Sequence, residues 1–185
     1  MKFISLPIQF DEKRYELNPL FGMLLEFKKN NQNLVITTPK KLTEALEYCN
    51  NPFTLKKQDS ISKKPTPIYV TKTLQLYSNL LININKLNFG LGRVFTGFGK
   101  PVFDNASMSI SFFRNNKLGA IQNDLCLPRS LFAASTSKKF KENGVIFIGV
   151  SLPSNLMHAW IIEDGKQPDP LDTMWINFQP VAAIF

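Results

Sequence analysis

The side chains best suited to covalent chemistry in this 185-residue chain are the thiol of Cys126 and the imidazole of His158, its single histidine. The run from Cys126 to about Phe140 predicts a helix, with Pro128 in its first turn. A thiol at a helix start meets the positive end of the macrodipole and free backbone N–H groups, which favour the thiolate. We therefore predict Cys126 as a nucleophile and His158 as its general base.

The other cysteine, Cys49, falls on the apolar face of a helix predicted to open at Thr38 and Pro39. We interpret it as a small buried hydrophobic residue. Two cysteines do not make a disulfide framework. With one histidine beside them, a zinc site is not expected.

A histidine base needs an acid that orients it. Residues 157–162 predict a strand that carries His158, and residues 163–166 predict a hairpin turn. If the loop has two or four residues, Asp169 becomes a diagonal neighbour of His158 on the returning strand. A three-residue loop shifts the register by one and places Asp172 opposite His158. Asp169 is the preferred acid and Asp172 the alternative.

Shorter elements surround this region. At the front, residues 2–10 and 15–17 predict two strands, residues 18–27 a helix and residues 34–36 a third short strand. The proline- and lysine-rich stretch 50–67 is the predicted linker. Beyond it, we expect a helix over residues 71–87 and a strand over 145–152 that is buried on both faces. The glycine-rich run 90–99 lacks the spacing of a phosphate-binding loop and is interpreted as a turn.

The composition limits the class of protein. Hydrophobic residues make up 44% and charged residues 19%, so a packed core is expected. The formal charge of +8 would suit an acidic partner. Because the lysines occur in scattered pairs, we interpret them instead as solvated faces. We predict no secretory signal and no membrane span, and hence a cytoplasmic protein.

Three motifs occur in order in the last third of the chain: Cys-Leu-Pro-Arg-Ser from Cys126, Ile-Gly-Val near the end of the strand predicted over residues 145–152, and His-Ala-Trp from His158. Together, over residues 126–185, they resemble the B protein of lasso-peptide biosynthesis. That family is the leader peptidase of the microcin-type systems and has a transglutaminase-like (papain-like) catalytic domain. Residues 13–19 are similar to the opening of the family's winged-helix-like leader-recognition module.

The resemblance implies a function. A Cys-His-Asp triad, carried over as Cys126, His158 and Asp169, would cut the leader from a ribosomally made precursor. The implied fold class is α+β, with a small winged-helix-like recognition module plus linker at residues 1–67. Residues 68–185 would form the peptidase domain, its antiparallel sheet packed on the nucleophile helix. The leader would bind as an extra strand on a sheet edge.

The implied partners are the precursor's leader and an asparagine-synthetase-like lasso cyclase, with no nucleic acid. No cofactor is expected in this chain, and any ATP dependence would come through the cyclase. Two alternatives remain open. One keeps the fold and changes the reaction to a transglutaminase-type acyl transfer or the hydrolysis of another amide. The other is a non-catalytic module that binds peptide or nucleic acid.

Overall fold

The computed structural model describes residues 3–10, 13–18, 23–27, 40–50, 68–86, 101–115, 125–152, 154 and 156–185. Within these ranges the chain is a mixed α+β protein with antiparallel sheets, as predicted. In chain order, its elements are β1 (Phe3–Ser5), β2 (Ile8–Phe10), β3 (Lys13–Asn18), β4 (Met23–Phe27), α1 (Lys40–Asn50), α2 (Ile68–Lys86), α3 (Ala106–Asn115), α4 (Cys126–Thr136), α5 (Lys138–Asn143), β5 (Gly144–Ser151), β6 (Leu156–Glu163), a 3-10 helix (Met174–Asn177) and β7 (Gln179–Ile184).

The larger sheet has four strands in the order β1-β7-β5-β6, all antiparallel. One of its two inner strands, β5, is buried along its whole length except at Ser151, which confirms the predicted strand with two covered faces. The C-terminal strand β7 was not predicted. It lies between β1 and β5, so β6 remains at the edge of the sheet.

Each face of this sheet carries its own core. Alternate residues of β5 face opposite ways, so Ile146 and Ile148 pack with α4 while Val145 and Phe147 pack with α1. The first core also takes in Phe132 of α4 and apolar residues of α2 and α3. A large side chain buried this completely stabilises the fold by about 1.5–3 kcal/mol. Helix α4 is therefore pressed against the sheet that carries His158.

The front of the chain contributes to both sheets. Residues 2–10, predicted as one strand, form two strands separated at Pro7, which has no N–H to donate to a ladder. The N–H of Leu6 donates to the carbonyl of Val181 on β7 at 2.8 Å, after which the chain leaves the larger sheet. The second strand, β2, opens a separate three-stranded sheet in the order β2-β3-β4.

The helix predicted over residues 18–27 is wrong for the part that the structure describes. Met23–Phe27 is a strand, β4, and its pairing with β3 sets Asn18 against Met23 and Leu17 against Leu24. An isolated helix this short is marginal, so ladder hydrogen bonds to a neighbouring strand can outweigh helical spacing. The strand predicted over 34–36, most of the linker and the glycine-rich run lie outside the described residues.

The helices follow the sequence more closely. Helices α1 and α2 are confirmed, and Leu42 and Ala45 lie on the buried face of α1. Strand β1 and α1 precede the predicted boundary at residue 67, yet they pack with β7 and β5 beyond it. Within the described ranges, the structure contains no helix with both the length and the apolar character needed to cross a membrane.

The helix predicted from Cys126 to about Phe140 is divided at Ser137. That residue has extended backbone dihedrals and forms a bridge with Phe103. Its hydroxyl oxygen then accepts from the N–H of Phe140 at 3.2 Å, as a helix N-cap does. Helix α4 therefore ends about one turn earlier than predicted. Ser137 caps the next helix instead, and its backbone bridges to Phe103.

Candidate functional site

Cys126 is the first residue of α4, as predicted. The first described bond of the helical ladder runs from the N–H of Arg129 to the carbonyl of Leu125, at 3.0 Å. The N–H groups before Arg129 have no carbonyl one turn earlier within the helix. Pro128 has no backbone N–H group at all. Leu125, at the N-cap, makes no side-chain cap. The helix start therefore presents the N–H groups of Cys126 and Leu127.

The structure brings Cys126 and His158 together, as predicted. The hydroxyl of Ser130 donates to the carbonyl of Ala159 at 3.4 Å and ties α4 to β6 just beyond the histidine. Burial raises the pKa of the Cys126 thiol. Hydrogen bonds from His158 and the Ala159 backbone, with the positive charges of His158 and Arg129, outweigh burial and leave the pKa below its ordinary value. The surroundings of Cys126 favour the thiolate.

The acid that contacts His158 is Asp172. His158 Nε2 lies 2.9 Å from Asp172 Oδ1 and 3.0 Å from Oδ2. Burial lowers the pKa of His158, but hydrogen bonds and charges from Asp172 and Cys126 raise it to about 9. With Nε2 bound to the carboxylate, Nδ1 is the nitrogen left to face the thiol. An imidazolium between a thiolate and a carboxylate is suited to nucleophilic chemistry at an acyl carbon.

Asp169, the preferred acid from the sequence, does not contact His158 in this way. Its buried carboxylate forms ion pairs with Arg114 at 2.7 Å and with Arg129 at 3.3 Å. The N–H of Asp172 donates to the Asp169 carbonyl at 3.1 Å, so the two acids occupy one tight turn. That turn presents Asp172 to the histidine and Asp169 to the arginines.

The hairpin from which Asp169 was inferred closes as expected but is not continued. Asp164 and Gly165 both have positive φ, 52° and 66°, and form a two-residue loop. Glu163 and Lys166 then make one bridge, in the predicted register. Beyond Lys166 the chain leaves β6, and its last strand pairs with β5 and β1. The prediction of Asp169 assumed that the chain after the turn pairs with β6 as far as His158. The chain after Lys166 does not pair with β6, so that register does not apply.

An aromatic layer supports the histidine. The Trp160 ring stacks on His158 with centroids 6.1 Å apart, and Phe178 lies at 5.1 Å. Gly149 is opposite His158 in the β5–β6 pair. A Cβ at Gly149 would lie 2.6 Å from two Trp160 ring atoms, so only glycine leaves room for the indole. The Ile-Gly-Val and His-Ala-Trp motifs are thus in direct contact.

Two arginines near the site were not predicted as functional. Arg129 follows Cys126 by three residues, a spacing that places both on one side of a helix and could have indicated it. Arg114 lies on α3, an element missed in the sequence. The helical spacing of Ala106, Ser109, Ile110 and Phe113, all buried, is the signal that would have found that helix.

The second cysteine differs from the first. Cys49 lies on α1, as predicted, packed against the core on the far face of the sheet. Burial raises the pKa of its thiol to about 12, although the nearby Trp160 indole opposes this. Cys49 is therefore a thiol that stays protonated, and it serves as an internal reference for Cys126.

Comparison with known proteins gives no match: no protein-family model, no curated protein and no solved structure matches the chain. Among the described residues, no group of three or more histidine, cysteine, aspartate or glutamate side chains is placed to hold a metal ion.

Proposed function

We propose that this protein is a cysteine peptidase that removes the leader from a ribosomally made lasso-peptide precursor. Cys126 is the nucleophile, His158 the base and Asp172 the orienting acid. The observation that carries the proposal is the continuous contact from Cys126 through His158 to Asp172. The three motifs that resemble the lasso B proteins connect this contact to leader removal.

The fold supports a transglutaminase-like catalytic domain. In that arrangement, a helix that starts at the nucleophile packs on an antiparallel sheet whose strand supplies the histidine. Here α4 starts at Cys126. The Ser130 hydroxyl on the same helix donates to the carbonyl of Ala159, the residue after His158 on β6. Asp172 comes from the segment after the hairpin turn. The order along the chain is Cys, His, Asp, as in the family.

The reaction follows from these positions. The Cys126 thiolate attacks the carbonyl carbon of the leader–core amide and forms a tetrahedral intermediate. The N–H groups of Cys126 and Leu127, at the start of the helix, donate hydrogen bonds to the oxyanion of this intermediate. The imidazolium of His158 gives a proton to the departing amine, the C–N bond breaks and an acyl-enzyme remains. A water then gives a proton to His158 and attacks the thioester, releasing the leader and the thiolate.

The front of the chain is proposed as the leader-recognition part. Its sheet has β2 and β4 at the two ends of the order β2-β3-β4, and either edge could accept the leader as an added strand. In this proposal, a partner cyclase closes the macrolactam ring and is the source of any ATP dependence. We place the reaction in the cytoplasm, where free thiols such as Cys49 and Cys126 persist.

The test is cleavage of a cognate lasso-peptide precursor, with and without its cyclase, followed by mass spectrometry. We expect two shorter peptides from the wild-type protein and none from Cys126→Ala. The matched control is Cys49→Ala, which removes the other thiol and should cleave normally. Full cleavage by Cys126→Ala would exclude the thiol mechanism. A crosslinked product in place of two fragments would assign an acyl transferase instead.

A further inference from the structure

A chain of buried charges leads away from the candidate triad. Arg129 Nη2 lies 3.3 Å from Asp172 Oδ2, and Arg129 Nε lies 3.3 Å from Asp169 Oδ2. Asp169 also pairs with Arg114 at 2.7 Å. Side-chain exposure is 12% for Arg129 and 3% for each aspartate. Positive and negative groups therefore alternate from Arg114 to the His158–Cys126 pair.

Such a chain has a physical requirement. A buried carboxylate is costly unless a positive group compensates it, and two aspartates in one turn repel each other. Arg129 meets both needs, because its planar guanidinium offers donors in a fixed fork. One branch of the fork reaches Asp169 and the other reaches Asp172. A lysine would keep the positive charge between the two carboxylates but, with one charged nitrogen, would hold them less firmly.

From this geometry, and resting on the proposed function, we propose that Arg129 is a positioning residue of the site. Anchored by Asp169, it holds the carboxylate of Asp172 against His158 and places a fixed positive charge on the nucleophile's own helix, three residues from Cys126.

The charged groups connected to the thiol, directly or through this chain of ion pairs, come from several described elements. Helix α4 supplies Arg129, strand β6 supplies His158 and the turn after β6 supplies Asp169 and Asp172. Helix α3 supplies Arg114 at the far end of the chain of charges. The positive charge of Arg129 is among the causes that lower the pKa of Cys126. Neutralising Arg129 should therefore make the thiolate harder to form.

The test measures the rate at which iodoacetamide alkylates Cys126 in the full chain, followed peptide by peptide in a mass spectrometer between about pH 5 and pH 10. We expect Arg129→Gln to reduce the rate at neutral pH about tenfold and to move the profile to higher pH, because a nearby positive charge is lost. Arg129→Lys restores the charge and should recover most of the rate. If Arg129→Lys is as slow as Arg129→Gln, the charge is not the cause and the proposal is overturned.

The matched control is Arg114→Gln, which also removes a positively charged partner of Asp169, although Arg114 is only half-buried. We expect it to lower the thermal stability as Arg129→Gln does and to leave the alkylation profile of Cys126 unchanged. A purely structural role for Arg129 would make the two variants alike in both measurements, and that outcome would overturn the proposal.

A second pair of variants avoids an unpaired buried carboxylate, in case Arg129→Gln does not fold. Arg129→Gln combined with Asp169→Asn removes one charge of each sign, and Asp169→Asn alone is its reference. We expect the double variant to react about tenfold more slowly than its reference at neutral pH. Equal rates would overturn the role of Arg129.

The same data keep the two proposals apart. If wild-type Cys126 reacts well below the pH at which Cys49 does, yet Arg129 variants match the wild type, only the role of Arg129 fails. If wild-type Cys126 reacts no faster than Cys49 at any pH, the cysteine-peptidase proposal itself fails, and the role of Arg129 with it.

Discussion

His158 Nε2 lies 2.9 Å from Asp172 Oδ1, and the two residues come from different kinds of element. His158 is on the edge strand β6, whereas Asp172 is in the irregular segment between the hairpin turn and the 3-10 helix. The imidazole is thus oriented by a residue that lies outside the sheet. The ion pair between Asp172 and Arg129 fixes that irregular segment to α4.

The first prediction separates the two aspartates. Asp172→Asn should reduce kcat/KM for precursor cleavage at least about a hundredfold, because the imidazole loses its carboxylate and imidazolium is no longer stabilised. Asp169→Asn leaves the bond between His158 and Asp172 in place and should cost less than about tenfold. The cleavage rates of both variants on one precursor show which aspartate orients His158. A larger loss for Asp169→Asn would identify Asp169 as the acid.

The second prediction concerns the protonation of His158. Because it is the single histidine, its imidazole can be followed without assignment by NMR of protein labelled with ¹⁵N-histidine. We expect a titration midpoint of about 9, since Asp172 and Cys126 outweigh burial. In Asp172→Asn the midpoint should fall, because burial then opposes the charge with less compensation. An unchanged midpoint in that variant would contradict the pairing.

The same raised pKa makes a third prediction about stability. Asp172 and Cys126 raise the pKa of His158 from its ordinary value of 6.5 to about 9 in the folded protein. A raised pKa stabilises the fold fully below the unfolded value, and this contribution is lost as the pH rises through the folded value. The difference in unfolding free energy between wild type and His158→Gln should therefore be largest below about pH 6.5 and shrink towards about pH 9. Urea unfolding at several pH values measures it, and a difference that grows with pH would contradict this sign.

The fourth prediction concerns Gly149. In Gly149→Ala the new methyl group would meet the Trp160 ring, so the indole must move and His158 loses its stacking partner. We expect a loss of about 1–3 kcal/mol and a changed near-ultraviolet circular dichroism. The control is Gly165→Asn, at a turn position with open space and a positive φ that asparagine tolerates. Equal effects of the two changes would exclude the packing explanation.

A fifth prediction concerns Glu163, the buried carboxylate at the end of β6. It accepts the N–H of Ala106 at 3.0 and 2.9 Å and the Ser137 hydroxyl at 2.7 Å, which joins the starts of α3 and α5 to the sheet. Glu163→Ala should destabilise the protein by about 2 kcal/mol or more, since it leaves buried donors unsatisfied. Glu163→Gln retains an acceptor and should cost less, as urea unfolding can show. The reverse order would contradict this account.

Several parts of the fold could be predicted because their signals are local. The apolar face of α1 repeats at helical spacing, and β5 is an unbroken apolar run, so both appeared where expected. The helix predicted over residues 18–27 was wrong for its described part because a short apolar segment fits both a helix and a strand. Pairing with β3 decided in favour of the strand. The C-terminal strand β7 depends on pairing with β5 and with the distant strand β1, and no local pattern specifies these partners.

The sequence by itself determined that Cys126 begins a helix, that His158 lies in a later strand, and that Asp164 and Gly165 make a tight turn. Each follows from residue types within a few positions of one another. Only the tertiary structure decided which acid meets the histidine. That choice depends on where the chain goes after Lys166, and its path is set by β7 pairing with β5 and by arginines on two separate helices. Long-range pairing and buried charge compensation are properties of the folded chain.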